Sequence, residues 1–210
     1  MEYARRVEHG DECLGLRERK KLATRDALCR AAVRLALADG PENVRVADIA
    51  AEVGVSPRTY NNYFSSVAEA ICAEPAARAM ALGDMVRDRP HSESLADAVG
   101  AAMTIMHHSS TYNKELVRMI ITTPMLRGEF FKTFVARDNS LAEAIAERVD
   151  RPSTDLYPHV LAATYSSAAR VCTHRWLQDD NADFLAMLRE AMDMIAPMTA
   201  AYERQARRAA

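Results

Sequence analysis

The sequence predicts an all-α protein, with an N-terminal three-helix helix-turn-helix domain followed by a larger C-terminal helical-bundle domain. Three observations carry this prediction. Val46 to Phe64, VADIAAEVGVSPRTYNNYF, holds two short helical patterns joined by a tight glycine turn. From Ser92 to the end, the apolar residues recur at helical spacing. No stretch alternates apolar and polar residues in the way a strand requires.

The first helix is expected from about Leu16 to Asp39, with Leu28, Ala32, Leu35 and Ala36 as its apolar stripe and Gly40-Pro41 as its stop. The dozen residues before it, MEYARRVEHGDE, read as a frayed arm. In the second helix Val46, Ile49, Ala50 and Val53 fall at i, i+3, i+4 and i+7 and form one face. Gly54 supplies a left-handed turn position that has no Cβ penalty. Ser56 is a good N-cap and Pro57 suits the first position of the third helix. Val55 and Tyr60 are placed to form a hydrophobic staple. Tyr60, Tyr63 and Phe64 give the third helix its buried face.

Ser66 to Glu69 reads as a capping box that opens a fourth helix. That helix should kink or pause at Pro75 and end by Arg89-Pro90, so the natural domain boundary falls within it. Further helices are expected near Glu93–Ser109, Tyr112–Thr122, Pro124–Val149, Leu156–Gln178 and Ala182–Gln205. The breaks between them fall at Thr111, Pro124, Arg151-Pro152 and Gln178–Asn181.

With Tyr60, Tyr63 and Phe64 turned inward, the 100° step per residue points Arg58 and Asn62 outward, flanked by Thr59 and Asn61. These residue types read base edges. Arg bonds guanine O6 and N7, Asn bonds adenine N6 and N7, and the Thr methyl meets the thymine methyl. No carboxylate lies between Val53 and Glu69 to repel phosphate. An exposed Asn pair also opposes helix propensity, which marks a local rule set aside for function.

The net charge of −2 conceals an asymmetry: Cys13 to Phe64 holds nine Lys or Arg against six Asp or Glu. Arg17, Arg19, Lys20, Lys21 and Arg25 concentrate this charge just ahead of the helix-turn-helix, where it would attract a phosphate backbone. The four cysteines (Cys13, Cys29, Cys72 and Cys172) are widely spaced and suggest neither a disulfide framework nor a zinc site. They are expected to be small buried residues. No apolar run is long enough to span a membrane and no secretory signal is visible, so a cytoplasmic protein is expected. An enzyme is not expected, because no G-x-S-x-G, P-loop or H-E-x-x-H occurs and seven glycines leave little material for phosphate-cradling loops. No metal or cofactor is expected; adjacent His107 and His108 point in different directions on a helix.

Gly15 to Ala73 resembles the TetR family of bacterial transcriptional regulators. The resemblance lies in the basic lead-in GLRERKKLATRDAL, the core DIAAEVGVSPRTY and the closing NYF. It implies a homodimer in which each chain carries a DNA-binding head and a helical body with a dimer interface and an effector pocket. Three departures stand out. Arg45 takes the place of a common Thr, Val67 takes the place of a common Lys, and Asn61-Asn62 occupy positions often held by an aromatic and a basic residue.

With the resemblance, the chain divides into an arm (1–15), a DNA-binding domain (16–65) and an effector-binding and dimerisation domain (66–210). Lys20, Lys21, Arg45, Ser56, Tyr63 and Ser65 are the expected phosphate contacts. Arg58, Thr59, Asn61 and Asn62 are the expected base readers. Leu161, Tyr165, Ala168 and Cys172, together with Phe184, Leu188, Met192 and Ile195, form two stripes expected to meet a second copy. Met103, Met106, Met119, Phe130, Phe134 and Trp176 are expected to line a pocket, with His107 and Tyr165 orienting a polar group.

The expected partners are therefore an operator in double-stranded DNA, a second copy of the chain, and a small hydrophobic effector that releases a repressor. An effector-independent architectural protein and a transcriptional activator are the alternatives.

Overall fold

The computed structural model describes residues 15–108 and 113–209; Cys13, most of the expected arm and the break at Thr111 lie outside them. Among the described residues there are ten helices and no strand. They fall into two compact units divided between Glu74 and Pro75.

The first unit holds α1 (Leu16–Asp39), α2 (Val46–Val53), α3 (Pro57–Asn61) and the start of α4 (Val67–Met80). In α1, Leu28, Ala32 and Ala36 are fully or almost fully buried. Arg34 of α1 forms a two-pronged bond with the Glu52 carboxylate of α2. The helix stops at Gly40, whose φ of 85° ends the helical path. Ile49 and Ala50 of α2, Tyr60 of α3, and Phe64, Ala68 and Ile71 complete the core.

The second unit holds α5 (Leu82–Arg87), α6 (Leu95–His107), α7 (Lys114–Thr122), α8 (Pro124–Arg148), α9 (Leu156–Gln178) and α10 (Phe184–Ala209). Side-chain caps start three of them: Ser94 Oγ accepts from Asp97 N–H, Asn113 Oδ1 from Glu115 N–H and Asp183 Oδ1 from Ala186 N–H. Helix α9 packs on α8 and α10, α10 on α6, and α5 on α6 and α8. Pro75 does not break α4; the break comes at Ala81, between α4 and α5. Just beyond it α5 crosses α8 closely: a Cβ on Gly83 would come within 2.5 Å of the Ser140 carbonyl oxygen.

The core of this unit corrects one expectation. Leu161, Tyr165, Cys172, Phe184, Leu188, Met192 and Ile195 are buried in the unit's own core, with Ala168 packed against them. These stripes were expected to face a second copy. Helices α9 and α10 instead press their strongest apolar faces on each other and on α6 and α8, because a long amphipathic helix buries its widest apolar stripe first. Tyr165 Oη also shares a hydrogen bond with Thr199 Oγ1 at 2.8 Å. The large apolar side chains left outside are others: Leu156, Val160 and Val171 on α9 and Met194 on α10.

Gly83→Ala should lower stability by about 1–3 kcal/mol through overpacking. Gly128→Ala, exposed on α8 with open space at its Cβ, should raise it by roughly 0.5–1 kcal/mol. Urea unfolding compares the two; equal effects would mean that α5 and α8 do not meet closely.

Candidate nucleic-acid interface and effector cavity

The turn between α2 and α3 begins with a left-handed Gly54 (φ 74°, ψ 31°). Val55 N–H donates to the Ala50 carbonyl at 2.9 Å and Gly54 N–H to the Ala51 carbonyl at 3.1 Å. This paired arrangement satisfies the last carbonyls of α2. Ser56 then caps α3, its Oγ accepting from Thr59 N–H at 3.0 Å. Helix α3 is shorter than the sequence suggests. It ends at Asn61, and Asn62 N–H and Tyr63 N–H close i to i+3 bonds with Thr59 and Tyr60. Consecutive asparagines, poor helix formers, account for this tightening. Asn62 keeps right-handed helical angles (φ −77°, ψ −14°), so the outward direction expected for it is preserved.

Two aromatic anchors fix the orientation of α3. Tyr60 is fully buried and its hydroxyl donates to the Ser66 carbonyl at 2.9 Å. Burial pushes its phenol well above the ordinary range. Phe64 is buried beside it, ring centroids 5.7 Å apart, and the Arg25 guanidinium lies 5.2 Å over the Phe64 ring. Arg25 is thus held by a cation–π contact that is not apparent from the sequence.

Arg58, Asn61 and Asn62 are exposed and Thr59 and Tyr63 are half-buried. The Thr59 hydroxyl is 2.9 Å from Ser56 Oγ, so that pair spends part of its hydrogen-bonding capacity on the cap. Arg45 is exposed at the start of α2 in an extended conformation and makes no side-chain cap. Lys20 is exposed, and Lys21 pairs with Glu18 at 3.3 Å. Ser65 departs from expectation. Both its N–H (2.7 Å) and its hydroxyl (2.6 Å) donate to the Glu69 carboxylate, while Ser66 Oγ caps Glu69 N–H at 3.0 Å. The reach-back of the capping box lands on Ser65 rather than Ser66. It brings a negative charge to a residue expected to touch phosphate.

Within the second unit lies an open cavity of about 660 Å³. Of the residues expected to line it, Met106, His107, Phe130 and Phe134 do so. Met103 and Tyr165 are core residues instead. Trp176 packs on Phe184 and under Lys114, and Met119 is half-buried on α7 outside the lining. His107 Nδ1 donates to the Met103 carbonyl at 2.8 Å. Burial, together with the nearby Arg78 and Arg137 charges, pushes its pKa down to about 4, so the ring is neutral at pH 7. The arginines that line the cavity were absent from the sequence expectation. Their signal was nonetheless present on α8, where Arg127, Phe130, Phe134 and Arg137 share one face.

Among the described residues, no group of His, Cys, Asp or Glu is placed to hold a metal, and no helix is long and apolar enough to cross a membrane. Cys29, Cys72 and Cys172 are buried, as expected of small residues in a core. Burial pushes Cys29 up to about 11, far from the reactive thiolate range.

A glycine-hinged helix pair with an amide- and guanidinium-bearing outer face defines a helix-turn-helix protein, here carried with an all-helical body. Comparison with known proteins agrees. The family described as "Bacterial regulatory proteins, tetR family" matches residues 28–69, and that described as "MftR C-terminal domain" matches residues 89–200. The chain belongs to the TetR family of bacterial transcriptional regulators.

It is 29% identical over 198 residues to the HTH-type transcriptional regulator TcmR of Streptomyces glaucescens, covering 87% of each chain. It is 24% identical over 181 residues to a protein assigned as the mycofactocin biosynthesis transcriptional regulator MftR of Mycobacterium tuberculosis, covering 84% of this chain and 91% of that one. Among solved structures it shares its fold with Thermus thermophilus FadR, a TetR-family repressor in complex with lauroyl-CoA. That match has a TM-score of 0.56 and 18% identity, over 82% of this chain and 93% of that one.

Because the folded-state pKa of His107 lies below its ordinary 6.5, the unfolded chain takes up that proton first as pH falls. The stability this supplies is complete above pH 6.5 and is lost as pH drops towards 4. Chemical denaturation at pH 7 and pH 4.5 should show wild type losing up to about 3 kcal/mol more than His107→Gln. Parallel losses would show that His107 titrates as if exposed.

Proposed function

We propose that this chain is a transcriptional repressor that binds a near-palindromic operator as a homodimer and is released by a small hydrophobic effector. The observation that carries the reading is the outer face of α3. Arg58, Asn61 and Asn62 stand exposed on a helix whose opposite side is pinned by fully buried Tyr60 and Phe64. In this reading these three side chains contact base edges and the Thr59 methyl supplements them. Lys20, Lys21, Arg45 and Tyr63 bind phosphate and set the register. Ser56 and Ser65 serve the fold first, since their hydroxyls are engaged by Thr59 and Glu69.

One such head buries too little surface for tight specific binding, and a two-fold pair doubles the contacts while demanding two matched half-sites. The second copy is met through the outer faces of α9 and α10, where Leu156 and Met194 are 78% and 71% exposed. The effector occupies the cavity beside Phe130 and Phe134. Thermus thermophilus FadR holds lauroyl-CoA, an acyl chain on a charged head, which supports a ligand with an apolar part for a body of this architecture. Release follows if the ligand binds more tightly to a state whose two heads no longer match the groove spacing. The protein works in the cytoplasm, where its DNA lies.

Selection of bound fragments from random DNA should return two inverted half-sites. On the selected site, Asn62→Ala should cost about 1–3 kcal/mol and relax preference at one position. Lys20→Ala should weaken all sequences alike and reduce the salt slope by about 1. Equal loss for Asn62→Ala on selected and random DNA would remove Asn62 from base reading. Fragments without inverted symmetry would contradict the dimer.

A further inference from the structure

The walls of the cavity carry a charge pattern that a purely hydrophobic ligand leaves unused. Arg78, Arg127, Arg137, Arg170 and Arg175 line it, and no Asp or Glu does. The bias is local, since the chain as a whole has 29 acidic residues against 27 Lys and Arg. On α8, Arg127, Phe130, Phe134 and Arg137 recur at i, i+3, i+7 and i+10, so one helical face has an aromatic middle and a guanidinium at each end. Phe134 sits edge-on to Phe130 at 5.4 Å and to Phe131 at 4.6 Å.

The arginines differ in how they are held. The Arg137 guanidinium lies 4.6 Å over the Phe134 ring and donates to Asp138 Oδ1 at 2.9 and 3.0 Å. That same oxygen accepts from Ser166 Oγ at 2.6 Å. Arg137 is therefore a fixed, pre-oriented cation. Among the described residues Arg170 reaches only the Ser167 hydroxyl, at 3.4 Å. Arg127 and Arg175 are exposed members of the lining and form no ion pair among the described residues. Arg137 is paired with Asp138, so the charge a ligand would meet comes chiefly from Arg127, Arg170 and Arg175; guanidinium groups beside an apolar floor attract an anion and disfavour a cation. Arg also matches carboxylate and phosphate geometry, with two parallel bonds.

We propose that the ligand of this cavity is an anionic amphiphile. Its apolar chain or ring system lies on the Phe130–Phe134 face, and its carboxylate or phosphate head is held by the arginines. The volume of about 660 Å³ lies within the usual range for small-molecule sites. The proposal rests on the reading of the cavity as the effector site and specifies the chemistry of that effector.

The test uses the full chain and four probes that share a ten-carbon tail: decanoate, decyl phosphate, 1-decanol and decyltrimethylammonium. Binding is measured by calorimetry at two salt concentrations, and release is measured on the selected operator. The anions should bind at least roughly tenfold more tightly than the alcohol, the cation should be weakest, and added salt should weaken the anions alone. The ranking of decanoate against decyl phosphate then identifies the head. The double variant Arg127→Gln, Arg175→Gln should lose the anion preference while binding the alcohol as before; an undiminished preference would overturn the role of these arginines.

Alcohol or cation binding as tight as the anions, with operator release, would overturn the anionic class and leave the effector reading standing. Anion binding without operator release would support the ligand class and contradict the effector reading. Absence of binding by every probe would overturn both.

Discussion

The head of this protein depends on one backbone constraint: the chain must reverse within two residues after α2 and leave in a fixed direction. A left-handed residue accomplishes this, and only glycine adopts that conformation without a Cβ penalty. Gly54 sits at φ 74°, and the bonds from Gly54 and Val55 back to Ala51 and Ala50 lock the reversal. Ser56 starts the next helix immediately, and Tyr60 ties it to the beginning of α4 through the Ser66 carbonyl. The outer face of α3 is thus determined by its inner face. With Tyr60 and Phe64 buried, Arg58, Asn61 and Asn62 have nowhere to point but outward.

In the second unit, packing and binding compete for the same residue types. Apolar side chains at helical spacing form both core and cavity, and neighbours decide which. Met103 on α6 and Tyr165 on α9 are enclosed by other helices and become core. Phe130 and Phe134 on α8 face open volume and become cavity wall. His107 stands at the border, bonded to the Met103 carbonyl and touching the Phe184 ring at 5.1 Å. Its depressed pKa follows from that burial and from the arginine charges nearby.

Much of this was legible in the sequence because it is local. The Gly54 turn, the Ser56 cap and the ends of α9 rest on interactions within a few residues, which spacing and residue type express directly. Most of what was not legible depends on partners distant in sequence. The apolar stripes of α9 and α10 look the same whether they meet a second chain or their own neighbours, and only the fold shows that Leu161 and Leu188 are core. The reach of Glu69 to Ser65 rather than Ser66 is a one-residue choice of rotamer that no pattern announces. The close approach of Gly83 to the Ser140 backbone of α8 joins residues far apart in the chain. The arginine lining was visible on α8 as a periodic face but became meaningful only once a cavity stood in front of it. Helix α3 ended sooner than expected because two asparagines weaken it from within, an effect that the sequence showed as a propensity but not as a boundary.

The measurement that bears most directly on the account is the paired stability and DNA affinity of Gly54→Ala and Gly54→Asn. A Cβ at Gly54 meets nothing within 4 Å, so the cost of alanine is conformational alone, about 1–2 kcal/mol. Asparagine, which tolerates the left-handed region, should cost less. The account predicts that alanine lowers the stability of the head and its affinity for the selected operator together, with asparagine in between. Alanine that leaves both unchanged would contradict the claim that this turn sets the reading face.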